Sequence, residues 1–90
     1  MDRFILSWKV YIIRAENGNF YTGITTDLSR RFKEHLCGKK GASFFNFSNP
    51  EIILFQEDHP CRSTASKREW EIKKMSRKQK LELIAHSLVI

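Results

Sequence analysis

The sequence predicts a mixed α/β fold built from a β-hairpin, a further strand and three helices. Three observations carry this. Val10-Tyr11-Ile12-Ile13 and Phe20-Tyr21-Thr22 are runs of β-formers on either side of Glu16-Asn17-Gly18, a strong turn signal. Leu28, Phe32 and Leu36 recur at helical spacing behind the capping sequence Thr25-Thr26-Asp27. The apolar run Ile52 to Phe55 is followed by two further stretches with helix-start signals.

The hairpin depends on its turn. A two-residue Asn17-Gly18 loop would pair Glu16 with Asn19 and send Tyr11 and Tyr21 to opposite faces, because side chains alternate along a strand. A three-residue loop with Gly18 left-handed would pair Ala15 with Asn19, set Tyr11 opposite Gly23, and set Tyr21 opposite Ile13. The two phenols then become diagonal neighbours on one face, roughly 7–8 Å apart at the backbone. The second register is the one favoured. Glycine opposite Tyr11 is also expected to leave an open slot over the sheet for a ligand backbone.

From there the chain reads in order. Trp8, Val10 and Ile12 share one face of the first strand, and Tyr11 and Ile13 the other. The first helix, capped by Thr26 or Asp27, is expected to run to about Leu36 and stop by Gly38, with Leu28, Phe32 and Leu36 buried and Arg31 and His35 bordering them. Gly38-Lys39-Lys40-Gly41-Ala42-Ser43 is a basic loop: a mobile connection first, a phosphate-touching loop second. Phe44, Phe45 and Phe47 suit a core position, a short strand, or exposed stacking on bases, with the core favoured. Glu51 to Gln56 suits a central strand. Ser63 or Thr64 can cap a second helix through about Met75, with Ala65, Ile72 and Met75 inward and Trp70 near the edge. Ser76 and Gln79 match a capping box that opens a third helix carrying Leu81, Leu83 and Ile84. The tail Leu88-Val89-Ile90 can dock on the core or extend a sheet edge.

Composition narrows the function classes. Ninety residues with 41% hydrophobic content suit one modest globular domain over residues 1–90. No apolar run reaches membrane-spanning length, and the first residues do not read as a secretory signal. The expectation is a cytoplasmic protein with Cys37 and Cys61 as reduced thiols. The net charge of +6 favours an anionic partner, nucleic acid before an acidic membrane. Eight of the sixteen Lys and Arg residues fall between positions 62 and 80, among them Lys67, Arg68, Lys73, Lys74 and Lys80. A solvated helix face is the bland account of such a cluster, and contact with nucleic acid the favoured one.

A zinc site and cysteine nucleophilic catalysis find little support. His35 and Cys37 form an H-x-C pair, as do His59 and Cys61, but helix residues two apart point about 200° apart. The C-x-x-C spacing of zinc sites is absent. Cys37, near a helix C-terminus, lacks the dipole that lowers a thiol pKa. Glu69 is the anomaly. It falls on the inward stripe of the second helix, four after Ala65 and three before Ile72, where a carboxylate requires a cation or donors. Tyr11, Tyr21, Arg31, His35 and Glu69 each have a structural explanation when taken singly. Together they suit phosphodiester hydrolysis, with Arg31 on a phosphate, Glu69 on one Mg²⁺, and a tyrosine positioning or deprotonating water. A free phenol, pKa about 10, is a poor base at neutral pH and needs the metal or Arg31 close by.

Val10-Tyr11, Tyr21-Thr22-Gly23-Ile24-Thr25 and the run Asp27 to His35 resemble the GIY-YIG endonuclease family. Ala65 through Ile84, with Arg68-Glu69 and Ile72-Lys73, looks like its small stand-alone bacterial branch, so the resemblance covers about residues 8–84. It implies an α/β fold of the α+β type, a three-stranded antiparallel sheet flanked by helices, and a Mg²⁺-dependent nuclease site in which Mn²⁺ can substitute. By the same resemblance Tyr11 and Tyr21 match the tyrosines of the two half-motifs, Arg31 the catalytic arginine, His35 a histidine of some branches, and Glu69 the metal-binding glutamate. Three departures stand out. The late asparagine of several members is absent, leaving that role empty or to Lys73 or Lys80. The loop Ala42 to Asn46 lacks the basic residue usual in the small branch. The separate DNA-binding domain of most characterised members is missing, so the module is expected to bind loosely or to rely on a protein partner.

Three functions follow as expectations. The first is an endonuclease acting on DNA, branched or damaged, in repair or recombination, with Lys39, Lys40, Lys67, Arg68, Lys73, Lys74 and Lys80 gripping the strand. The second is a nucleic-acid-binding module without efficient cleavage. The third is a partner-docking domain that uses Phe44, Phe45 and Phe47.

Overall fold

A computed structural model describes residues 7–37 and 48–87. In chain order they form β1 (Trp8–Ala15), β2 (Phe20–Thr25), α1 (Leu28–Cys37), β3 (Pro50–His59), α2 (Arg62–Lys73) and α3 (Arg77–Ser87). The strands make one antiparallel sheet in the order β2-β1-β3. This is the α+β arrangement that the resemblance implied. Lys39, Lys40, Phe44, Phe45, Phe47 and the tail Leu88 to Ile90 lie outside the described residues.

The hairpin adopts the three-residue turn. Gly18 has φ 91°, and Ala15 and Asn19 are joined by a 2.8 Å backbone hydrogen bond. Glycine meets that left-handed backbone without a Cβ penalty. The register sets Tyr11 opposite Gly23 and Tyr21 opposite Ile13. The Glu16 amide donates to the Asn49 carbonyl and the Asn17 amide to Ser48 Oγ, which ties the turn to the entry of β3.

Both faces of β1 are covered. Val10 and Ile12 pack with Phe55, Ala65, Ile72 and Ile84 beneath α2 and α3. Tyr11, Ile13 and Ala15 pack with Leu28 beneath α1, joined by Tyr21, Phe32 and Ile53. A strand buried on both sides reads as a continuous apolar run, and Val10 to Ile13 is that run.

Ile52 to Phe55, read as a central strand, instead lies on an edge. The pairing slips between Ile12/Phe55 and Ile13/Ile53, so Leu54 is the extra residue of a bulge. The bulge lets adjacent Leu54 and Phe55 both serve the α2/α3 side while Ile53 turns to the α1 side. Ile52 is left 45% exposed. An apolar run without alternation therefore arose from a bulge, not from burial on two faces.

Helix α1 starts as expected at Asp27, whose carboxylate accepts from the Arg30 amide at 3.1 Å. Its buried stripe differs from the one expected. Leu36 is 51% exposed, and His35 takes the inward position beside Leu28. The polar surroundings of Tyr11 draw in the imidazole rather than the leucine one residue later. At α2 the cap is Cys61, not Ser63 or Thr64, and it makes no side-chain cap bond. Pro60 and extended Cys61 start the helix at Arg62, so Ser63 and Thr64 fall inside its first turn. The capping box of α3 is present in both directions, Gln79 amide to Ser76 Oγ at 3.2 Å and Ser76 amide to Gln79 Oε1 at 2.9 Å.

Candidate active site

The hairpin register and one face of α1 bring four of the five sequence-predicted site residues together. Tyr11 projects from β1, Tyr21 from β2, and Arg31 and His35 from α1, one turn apart. Tyr11 and His35 are each 1% exposed, and the Tyr11 hydroxyl lies 3.2 Å from His35 Nε2. The Tyr11 and Tyr21 ring centroids are 6.2 Å apart, and Tyr21 meets His35 edge-on at 5.4 Å. Arg31 donates to the Tyr11 hydroxyl and holds Glu34 at 3.1 Å.

Gly23 makes this packing possible. A Cβ there would stand 2.6 Å from the Tyr11 hydroxyl oxygen and 3.1 Å from Tyr21 Cε2. The slot expected above Gly23 is therefore not open to a ligand. The Tyr11 ring lies in it, and crosses β2 through the one position without a side chain.

The protonation states follow from this burial. Desolvation pushes the Tyr11 phenol up to about 12; the charge of Tyr21 adds to it, while the hydrogen bond and charge of Arg31 oppose it. Burial, aided by the positive charge of Arg31 and opposed by Glu34, pulls His35 down to about 4. At neutral pH the pair is a neutral phenol and a neutral imidazole. The phenol oxygen accepts from Arg31, and the direction of the Tyr11 hydroxyl–His35 Nε2 hydrogen bond follows the imidazole tautomer. For Arg31, burial works against the charge, but the hydrogen bonds to Glu34 and Tyr11 outweigh it and the guanidinium is held charged.

Glu69 comes from the far side of the sheet, on α2, which packs against β1 and β2. It lies between buried Ala65 and Ile72, as periodicity indicated, and its side chain is 23% exposed. Lys73 Nζ stands 3.2 Å from its carboxylate and answers the demand for a cation. Its charge still reaches Tyr11, raising the phenol further.

Among the described residues no three His, Cys, Asp or Glu side chains cluster as metal ligands. A lone carboxylate does fit Mg²⁺ or Mn²⁺, which take oxygen ligands and keep several waters when substrate phosphate supplies the rest. Lys73 would have to yield that carboxylate to the ion.

The predicted basic contacts divide. Lys67, Lys73 and Lys74 are exposed and Lys80 is half-buried. Arg68 is engaged within the fold, with Nε 3.0 Å from Glu57, which also meets His59 at 2.8 Å. Lys39 and Lys40 fall outside the described residues. Glu34, which steadies Arg31, escaped the sequence reading although its i+3 spacing from Arg31 was the available signal. The cap role of Cys61, read from sequence only as a reduced thiol, escaped it too. Backbone and side-chain hydrogen bonds from Thr64 lower its exposed thiol, because the residue is the helix cap.

A comparison with known proteins places this geometry. The sequence model of the GIY-YIG catalytic domain matches residues 7–82. A UPF0213 protein of Desulfotalea psychrophila is 41% identical over 81 residues, spanning 90% of this chain and 74% of the relative. A UPF0213 protein of Staphylococcus haemolyticus is 40% identical over 75 residues, spanning 83% of this chain and 90% of the relative. The solution NMR structure of a UPF0213 protein from Bacillus halodurans superposes with TM-score 0.54 and 30% identity, over 88% of this chain and 83% of that one. The domain implies nuclease-type chemistry on nucleic acid, generally metal-dependent. No helix among the described residues is long and apolar enough to cross a membrane. With its tyrosine pair, Arg31 and nearly the whole chain within the match, this protein belongs to the GIY-YIG family, among the small UPF0213 members.

Proposed function

We propose that this chain acts as a single-domain, cytoplasmic endonuclease that hydrolyses DNA phosphodiester bonds with Mg²⁺, or Mn²⁺ in its place. The observation that carries the reading is the Tyr11 hydroxyl held between Arg31 and His35. Arg31 is the phosphate ligand, since a guanidinium can bridge two oxygens and meet the charge that builds up in the transition state. Tyr11 orients the attacking water through its hydroxyl oxygen, and Tyr21 closes the other side of that water. His35 fixes the Tyr11 ring through the hydrogen bond between Nε2 and the phenol. Glu69 would hold the metal ion, which when bound would supply positive charge for the phosphate oxygens. Lys67, Lys73, Lys74 and Lys80 supply the basic surface for the strand, and Lys39 and Lys40, outside the described residues, add to its charge.

Cleavage of labelled single-stranded, duplex and branched DNA, with an RNA control, tests this in Mg²⁺ and in Mn²⁺. Metal-dependent cutting is expected, and Glu69→Gln and Arg31→Ala each abolish it. Cutting that survives both substitutions rejects the assignment.

Two observations favour a second reading, a nucleic-acid-binding module without efficient cleavage. Tyr11 rests at about 12, and Lys73 occupies the Glu69 carboxylate. Salt-sensitive binding in wild type and both variants, with no turnover in any metal, would select it.

A further inference from the structure

Trp70 is 60% exposed, the most exposed of the large apolar side chains among the described residues. On α2, successive residues turn by about 100°, so Lys67, Trp70 and Lys74 form one stripe, with Trp70 about 100° and the two lysines roughly 140–160° around the helix from Glu69. Lys74 Nζ sits 4.0 Å from the indole centroid, a cation–π contact that steadies the ring while leaving it exposed. The acidic residues of the helix are already matched, Glu69 by Lys73 and Glu71 by Arg68. Lys67 and Lys74 make no ion pair with any described residue. The stripe therefore presents an exposed indole, with Lys74 over one face of its ring, among uncompensated positive charge and next in sequence to the candidate metal carboxylate.

We infer that Trp70 is a stacking platform for an unpaired base of the nucleic acid, with Lys67 and Lys74 on the flanking phosphates. This rests on the nuclease reading for its position, because Glu69 locates the cut, and it deepens that reading by naming the substrate class. Base faces inside a duplex are already stacked on each other. An exposed indole accepts only a base that has left the stack, as in a single strand, a flap or a frayed end. Cutting would then fall beside the junction of paired and unpaired strand. A protein partner on the same stripe would call for an apolar centre depleted of charge, whereas here cations border the ring on both sides along the helix.

The chain has two tryptophans, so Trp8→Phe leaves Trp70 as its sole indole. That protein is titrated without metal with oligothymidylate and with a blunt duplex, following tryptophan emission. Quenching by oligothymidylate is expected, with little change on the duplex. In parallel, Trp70→Ala is expected to weaken oligothymidylate binding about 5- to 150-fold, the loss of one stacked base, with Trp70→Phe restoring part of it. Unchanged emission at saturating oligothymidylate, or Trp70→Ala binding it as tightly as wild type, overturns the inference. The two readings fail separately. Quenching without Mg²⁺-dependent cutting removes the nuclease and leaves the platform. Cutting of blunt and tailed duplexes at equal rates, unaltered by Trp70→Ala, removes the platform and leaves the nuclease.

Discussion

Beneath α2 and α3, Val10, Ile12, Ala65 and Ile72 are fully buried and offer no side-chain polar atom. Beneath α1, Tyr11 and His35 are buried almost as completely, yet their polar atoms meet each other and Arg31. The same strand supplies both sets, because alternate residues of β1 face opposite ways. One face contributes stability through area removed from water. The other gives up part of that gain to hold a phenol and an imidazole in a dry site, where each hydrogen bond is electrostatically stronger and each loss costs more. Glu69 spans the two. It sits in the aliphatic stripe of α2, and its charge reaches the polar side.

Substitutions sharpen this contrast, and the largest effects come from truncating each face. Ile72→Ala should lower unfolding stability by about 2–5 kcal/mol, the usual range for an emptied core site, as read by urea denaturation. Arg31→Ala should cost less, about 1–3 kcal/mol for the buried phenol oxygen left without its donor, yet reduce turnover by roughly 10²- to 10³-fold in the cleavage assay. If both variants lose stability alike, the division between the faces fails.

Gly23→Ala comes next, since it touches both tyrosines. A methyl group 2.6 Å from the Tyr11 oxygen must displace that ring, at about 1–3 kcal/mol of overpacking. Turnover should fall with it, and a crystal structure of the variant should show the Tyr11–His35 bond broken. An unaltered bond and full activity would mean that glycine is dispensable there.

Protonation gives a smaller effect of defined sign. His35 rests at about 4, below its ordinary 6.5, so the unfolded chain binds the extra proton between those values. The contribution is fully present above about pH 6.5 and is lost as pH falls toward 4. With allowance for solvent screening it is on the order of 2 kcal/mol. Urea midpoints at pH 7 and pH 5 should therefore differ more for wild type than for His35→Gln. Equal pH dependence in the two proteins would show that the imidazole is not held neutral by burial.

The smallest effect belongs to Lys73. Removing an ion pair at the exposed end of the contact, Lys73→Ala should change stability by less than about 1 kcal/mol. It should, however, lower the Mg²⁺ concentration needed for half-maximal cleavage, because the carboxylate no longer has to exchange partners. An unchanged or higher requirement would assign Lys73 to the substrate and not to Glu69.

Local signals in the chain were enough for the hairpin, its left-handed Gly18, the Tyr11–Gly23 register, the Asp27 cap, the Ser76–Gln79 capping box and the misplaced carboxylate at Glu69. Each is written within a few residues, by turn chemistry, side-chain alternation or helical period, and needs no distant partner. Three matters were decided only in three dimensions. The apolar run at Ile52 became an edge strand because a bulge at Leu54 redistributed its side chains, and a bulge is a property of the pairing. His35 displaced Leu36 from the inner side of α1 because Tyr11 offered it a hydrogen bond from another element. Gly23 proved to be filled because the Tyr11 ring has to cross β2, which pattern alone cannot show. The protonation of Tyr11 and His35 belongs with these, since burial is the largest influence on both and exists only once the sheet and α1 have closed over them.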